Sequence, residues 1–131
     1  MFSFFKKKNE YAPKIHTQQT AANNENLQEE IRVAESRLME AGDSATKVKL
    51  WDELGSLCKE AGEVDKAIGY FEQSIEAKPV FGKACTDLMA LYNIKRREAA
   101  EAKDDEKIQM YLNKLDELMK INKSIMRSSI S

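Results

Sequence analysis

The residue types that most often carry chemistry are few in this chain and stand far apart. The 131 residues include one histidine, His16, and two cysteines, Cys58 and Cys85. Two thiols and one imidazole cannot complete a four-ligand zinc site without carboxylates. The acidic run Asp104-Asp105-Glu106 is more typical of a helix start than of a metal site, and no glycine-rich phosphate loop, G-x-S-x-G or H-E-x-x-H pattern occurs. The sequence therefore predicts no catalytic residue, no metal site and no cofactor.

Composition narrows the class of protein further. Charged residues make up 33% and hydrophobic residues 42%, with only two prolines and five glycines, which favours long helices. The net charge of −1 argues against general nucleic-acid binding. No run approaches the roughly eighteen apolar residues of a membrane span, and no signal peptide is recognisable. We expect a cytoplasmic protein whose two cysteines are free and buried; a disulfide or redox pair is the alternative.

Apolar residues recur at steps of three and four along most of the chain, which predicts an all-α fold. The first helix starts at Asn24 or Asn26, either of which can cap it, and ends at Gly42. Five helices are predicted: about 25–41, 46–61 and 64–77, a fourth after Pro79, and a fifth from about Asp105 to the region of Ile125. The chain thus divides into a flexible arm (1–24), a helical domain (25–126) and a frayed tail (127–131).

Seven residues in the middle of the chain have the spacing of a known repeat. They are Trp51, Leu54, Gly55, Cys58, Ala67, Phe71 and Pro79. The pattern resembles the W-x2-L-G-x2-Y…A-x3-F…P signature of the tetratricopeptide repeat family, with only the tyrosine position changed, to Cys58. The resemblance covers residues 48–81. It implies a short array of antiparallel helix hairpins that binds proteins or peptides and has no chemistry of its own.

A second, degenerate repeat is predicted at 82–122. Cys85, Leu88 and Tyr92 take the positions of Trp51, Leu54 and Cys58. After Tyr92 the second repeat matches the first again only if seven residues, about two helical turns, are inserted. This insertion aligns residues 59–67 with residues 100–108. We therefore predict that Ile108, Leu112, Leu115 and Met119 form the inward stripe of the last helix. Because isolated hairpins cannot bury their own faces, we expect the first helix to cover one side of the first repeat.

The resemblance implies that the first helix of each repeat lines a concave surface that holds a partner. The candidate partner-binding residues there are Lys49, Asp52, Ser56, Lys59, Lys83, Thr86, Asp87 and Asn93. A plain solvated helix face is the alternative interpretation. One subfamily of these repeats clamps the C-terminal carboxylate of chaperones, but Asp52 stands at a matching position and would repel a carboxylate. We therefore expect a protein or peptide partner of another kind.

The last helix carries more apolar residues than one buried stripe needs. Those beyond the predicted inward stripe are Met110, Tyr111, Leu118, Ile121 and Ile125. Either both sets pack within a long hairpin, or these residues form a surface for a homodimer or a partner. In the second case Met110, Met119 and Met126 would provide adaptable contacts.

The N-terminal arm suggests a third hypothesis, a membrane-surface adaptor. The residues concerned are Phe2, Phe4, Phe5, Lys6, Lys7 and Lys8. Aromatic rings could enter the membrane interface while lysines meet anionic headgroups, each lysine contributing about 1 kcal/mol. The alternative is an arm that has no contact with lipid.

Overall fold

The computed structural model describes residues 21–130 and folds them into five helices joined by short turns. These are α1 (Ala21–Glu40), α2 (Ser44–Glu60), α3 (Val64–Ala77), α4 (Lys83–Glu101) and α5 (Asp105–Ile130). No strand occurs among these residues, so the predicted all-α fold with five helices is confirmed. His16 and the six residues predicted to contact a membrane lie outside the described part of the chain.

The helix ends follow local signals where such signals exist. Asp43 caps α2 by accepting a hydrogen bond from the backbone N–H of Thr46 at 3.2 Å, and hydrogen bonding by Thr46 lowers the pKa of Asp43. Helix α3 has the predicted bounds. Helix α1 begins at Ala21, before the predicted asparagine caps, and α5 continues to Ile130. Helix therefore begins within the segment predicted as an arm, and the segment predicted to fray is helical as far as Ile130.

The turns after α2 and α4 have the same backbone geometry, which supports the sequence alignment that related them. Gly62 and Lys103 both have positive φ, 82° and 58°. The residue after each donates its N–H back into the last helical turn, Glu63 to the Cys58 carbonyl at 2.8 Å and Asp104 to the Ala99 carbonyl at 2.9 Å. This is the hydrogen-bond pattern of the Schellman motif. The longer hairpin therefore reuses the turn of the shorter one, with lysine in place of glycine.

Lys103→Gly is expected to raise the free energy of unfolding by about 1 kcal/mol, because the left-handed conformation is unfavourable for a residue with a Cβ atom. Urea denaturation followed by circular dichroism measures the change. Lys49→Gly is the control: it removes the same exposed side chain inside α2 and should lower the free energy by about 1 kcal/mol. Equal destabilisation by both variants would contradict the prediction.

Helices α2 and α3 share the most extensive contact between helices of the described residues, and α1 covers the open side of this pair. Leu54 and Phe71 are almost completely buried between α2 and α3. Ile31 and Ala34 of α1 join the same core. A hydrogen bond also joins α1 to α3, in which the Tyr70 hydroxyl donates to a Glu35 carboxylate oxygen at 2.7 Å. Helix α1 therefore has the covering role expected from the sequence.

Helix α5 packs on α4 through a different face from the one predicted. Leu118 is buried, and the Tyr111 ring lies 6.2 Å from the Tyr92 ring, centroid to centroid. Leu112 and Met119, both predicted to face inward, are exposed. The prediction was wrong at these two positions because 111-115-118 satisfies the three-and-four spacing as well as 108-112-115-119 does. Tyr111, a member of the first set, contacts Tyr92 of α4, and the spacing within α5 gives no information about that contact.

Candidate functional site

Four of the eight predicted partner-binding residues form one polar network between α2 and α4. Lys83 Nζ lies 2.5 Å from Asp87 Oδ2 and donates to Ser56 Oγ at 3.5 Å. Lys59 Nζ lies 3.5 Å from Asp87 Oδ1. The Asp87 carboxylate is largely buried and has two lysines as neighbours. The network therefore joins the two helices and leaves Lys59 and Lys83 exposed on the surface.

The other four predicted residues lie outside this network, and each has its own surroundings. Asp52 accepts a hydrogen bond from the Ser74 hydroxyl of α3 at 2.5 Å. Thr86 donates its hydroxyl to the Gly82 carbonyl at 3.2 Å. Asn93 donates its amide to the carbonyl one turn earlier in α4, and Lys49 is exposed. Asp52 and Thr86 thus have structural bonds, and Asp52 keeps a second carboxylate oxygen for other contacts.

A cavity of about 190 Å³ opens beside this network. We call it the α2–α4 groove. Its lining includes Val48, Asp52, Ser56, Lys78, Val80 and Lys83. Val80 and the adjacent Phe81 are exposed large apolar residues in the loop that joins α3 to α4. The groove therefore combines apolar walls with the Asp52 carboxylate, the Ser56 hydroxyl and the ammonium groups of Lys78 and Lys83.

Sequence reasoning found some of the polar members of the groove and missed Lys78, Val48 and Val80 as functional candidates. Val48 of α2 is half-buried at the groove. Val80 and Phe81 lie in a loop, where helical periodicity gives no information. The signal that could have identified them is a pair of large apolar residues directly after the helix-ending Pro79, where polar residues are usual.

A second cavity, of about 300 Å³, lies between α3, α4 and α5. At its wall Tyr92 donates its hydroxyl to Glu72 Oε2 at 2.5 Å, and Lys114 Nζ lies 3.2 Å from the same oxygen and 5.7 Å from the Tyr92 ring centroid. Burial, and then the bond to Glu72, raises the pKa of Tyr92. The hydroxyl therefore stays protonated and serves to join three helices.

Both cysteines are completely buried and free. Burial raises the pKa of the Cys58 thiol to about 11 and also raises the pKa of Cys85. A thiol with a raised pKa holds little of the reactive thiolate at neutral pH. Cys58 and Cys85 therefore pack as small apolar residues, which is the interpretation favoured by the sequence.

The five apolar residues predicted as an oligomer surface do not form one continuous exposed face. Leu118 is buried, Tyr111 and Ile125 are half-buried, and Met110 and Ile121 are exposed. The inclusion of Leu118 was wrong, because its side chain lies in the core of its own chain. The exposed apolar positions elsewhere on α5 are Leu112, Met119 and Met126.

Comparisons with known proteins assign neither a family nor a function to the chain. No family model, curated protein or solved structure gives a significant match to the chain. Within residues 21–130, no helix has both the length and the apolar character needed to cross a membrane. In the same part of the chain, no group of three His, Cys, Asp or Glu side chains is arranged to hold a metal ion.

Proposed function

We propose that this protein is a non-enzymatic interaction module that binds a peptide segment of another protein in the α2–α4 groove. The observation that carries the proposal is the groove itself, in which exposed Val80 lies beside Asp52, Ser56 and Lys83. Binding sites typically combine an apolar pocket with a few polar groups that fix the orientation of the ligand. The resemblance to the tetratricopeptide repeat family supports the same function, since its hairpins act as scaffolds for protein partners.

The groove favours a peptide that carries one apolar side chain next to hydrogen-bonding groups. The apolar side chain would bury against Val48 and Val80, which supplies the hydrophobic contribution to affinity. Lys83 would donate to a peptide carbonyl, and the Asp52 oxygen would accept from a peptide N–H. Two completely buried free thiols support a cytoplasmic location for the module.

Selection of a random peptide library on the full chain tests this function. We expect peptides with micromolar affinity, and we expect Val80→Asp combined with Lys83→Glu to weaken their binding at least tenfold in isothermal titration calorimetry. Arg37→Glu combined with Met39→Asp is the matched control, since it makes the same change in charge on exposed positions of α1. Circular dichroism checks that both variants stay folded.

Two results would contradict the proposal. Peptides that bind the groove variant as tightly as the unchanged chain would show that they bind elsewhere. A library that yields no peptide tighter than about 100 μM would show that the groove is not a peptide site.

A further inference from the structure

Three exposed apolar residues of α5 lie along one line on a flank of the helix, about a quarter-turn from the side that faces the core. Leu112, Met119 and Met126 are 42%, 49% and 52% exposed. They are seven residues apart, and in an α-helix a seven-residue step returns to nearly the same side, with a drift of only about 20°. We call these three residues the outer stripe. Because successive residues are about 100° apart, Met119 points well away from the direction of buried Leu118.

The outer stripe is unusual at the end of a hairpin array. Arrays of this kind need a polar outer face at each end to stay soluble as monomers. At the other end, α1 exposes two large apolar residues, Val33 and Met39. These are six residues apart and so point to different sides of α1, and exposed apolar residues that stand singly need no explanation. The α5 end therefore has three exposed apolar residues in one line, whereas the two at the α1 end are not aligned.

Helix α5 is also longer than its hairpin requires. It has 26 residues, whereas α4 has 19. The difference of seven residues extends α5 by about 10 Å beyond the helix it packs against. Met126 lies in this extension, so the outer stripe continues past the end of the hairpin.

We propose that a second copy of this chain covers the outer stripe, with the two α5 helices packed antiparallel about a two-fold axis at Met119. In this arrangement Met119 meets the same residue of the second copy, and Leu112 meets Met126 twice, because each lies seven residues from the axis. Every exposed residue of the stripe then has an apolar partner. Such an isologous contact is the commonest way in which identical chains associate.

The charges beside the outer stripe favour the antiparallel orientation. Asp116 and Lys123 follow Leu112 and Met119 by four residues, so both lie on the same side of the stripe. Both residues are exposed, and Asp116 also pairs with Lys120 at 3.3 Å within its own helix. In the antiparallel pair Asp116 of each copy faces Lys123 of the other. In a parallel pair the Asp116–Lys123 sides of the two helices would lie on opposite sides of the contact, so these charges would not meet.

Analytical ultracentrifugation of the full chain over a range of concentrations tests the proposal. The unchanged chain should sediment with twice the monomer mass at micromolar concentrations. Met119→Lys should raise the dimer dissociation constant at least tenfold, because it places two ammonium groups at the axis. Glu117→Lys is the control, since it adds an equal or greater positive charge one residue away on another side of α5 and should leave association unchanged.

A charge exchange tests the orientation of the two helices. Asp116→Lys alone and Lys123→Asp alone should each weaken association, and the double variant should restore it, because the opposite charges then face each other again. Circular dichroism melts verify that every variant is folded. A chain that stays monomeric up to about 1 mM overturns the proposal, and so does a dimer that Met119→Lys leaves intact. Failure of the double variant to restore association overturns the antiparallel arrangement.

Discussion

Phe71→Ala is expected to lower the free energy of unfolding by about 3–5 kcal/mol, the largest single effect that we expect in this chain. The Phe71 ring is 1% exposed and fills the space between α2 and α3. Removal of the ring loses its transfer free energy and leaves a cavity in the tightest part of the core. Since small domains are stable by only about 5–15 kcal/mol, the variant should lose a large part of its stability.

Urea denaturation followed by far-ultraviolet circular dichroism measures this effect. Phe81→Ala is the matched control, because Phe81 is 59% exposed and its removal should change the free energy by no more than about 0.5 kcal/mol. Phe71→Leu, which keeps an apolar side chain in the core, should fall between the two. The prediction fails if Phe71→Ala is no more destabilising than Phe81→Ala.

Two glycine-to-alanine substitutions should change stability in opposite directions. An added Cβ atom at Gly55 would lie 2.6 Å from Cε1 of the Phe71 ring, so Gly55→Ala should cost about 1–3 kcal/mol through overpacking. Gly69 of α3 has no atom within 4 Å of the position of an added Cβ atom. Gly69→Ala should therefore stabilise the protein by about 0.5–1 kcal/mol, the ordinary gain of alanine over glycine in a helix.

A double-variant cycle identifies the cause of the Gly55 effect. If the Phe71 ring is responsible, Gly55→Ala should be clearly less destabilising in a Phe71→Leu background than in the unchanged chain. Thermal and urea unfolding of the four chains give the coupling energy. An equal penalty in both backgrounds would show that the ring is not what limits the space at Gly55.

The sequence was most informative where a helix has a signal at both ends. Helix α3 lies between Gly62, whose backbone adopts positive φ, and Pro79, which cannot continue a helix, and its bounds match the prediction. The start of α1 was missed because an asparagine can stand inside a helix as well as cap it. The buried residues Ala67, Ile68, Phe71 and Ile75 follow steps of one, three and four along α3, which is the spacing of one apolar side.

The inward face of α5 could not be chosen from its own residues. The helix has apolar residues on several sides, and two sets of them have helical spacing. The choice depends on contacts with Tyr92 and the rest of α4, which local periodicity does not contain. The groove has the same limitation: Ser56 and Lys83 are 27 residues apart in sequence, and only the loop between α3 and α4 brings them together.

The order of helix packing also has a consequence for how the chain folds. Each helix packs mainly on the helix next to it in sequence, from α1 on α2 to α4 on α5. Contacts between nearby segments require little loop-closure entropy, and chains built from them reach the native state quickly. Folding can therefore begin at the α2–α3 pair and spread toward both termini, without waiting for distant segments to meet.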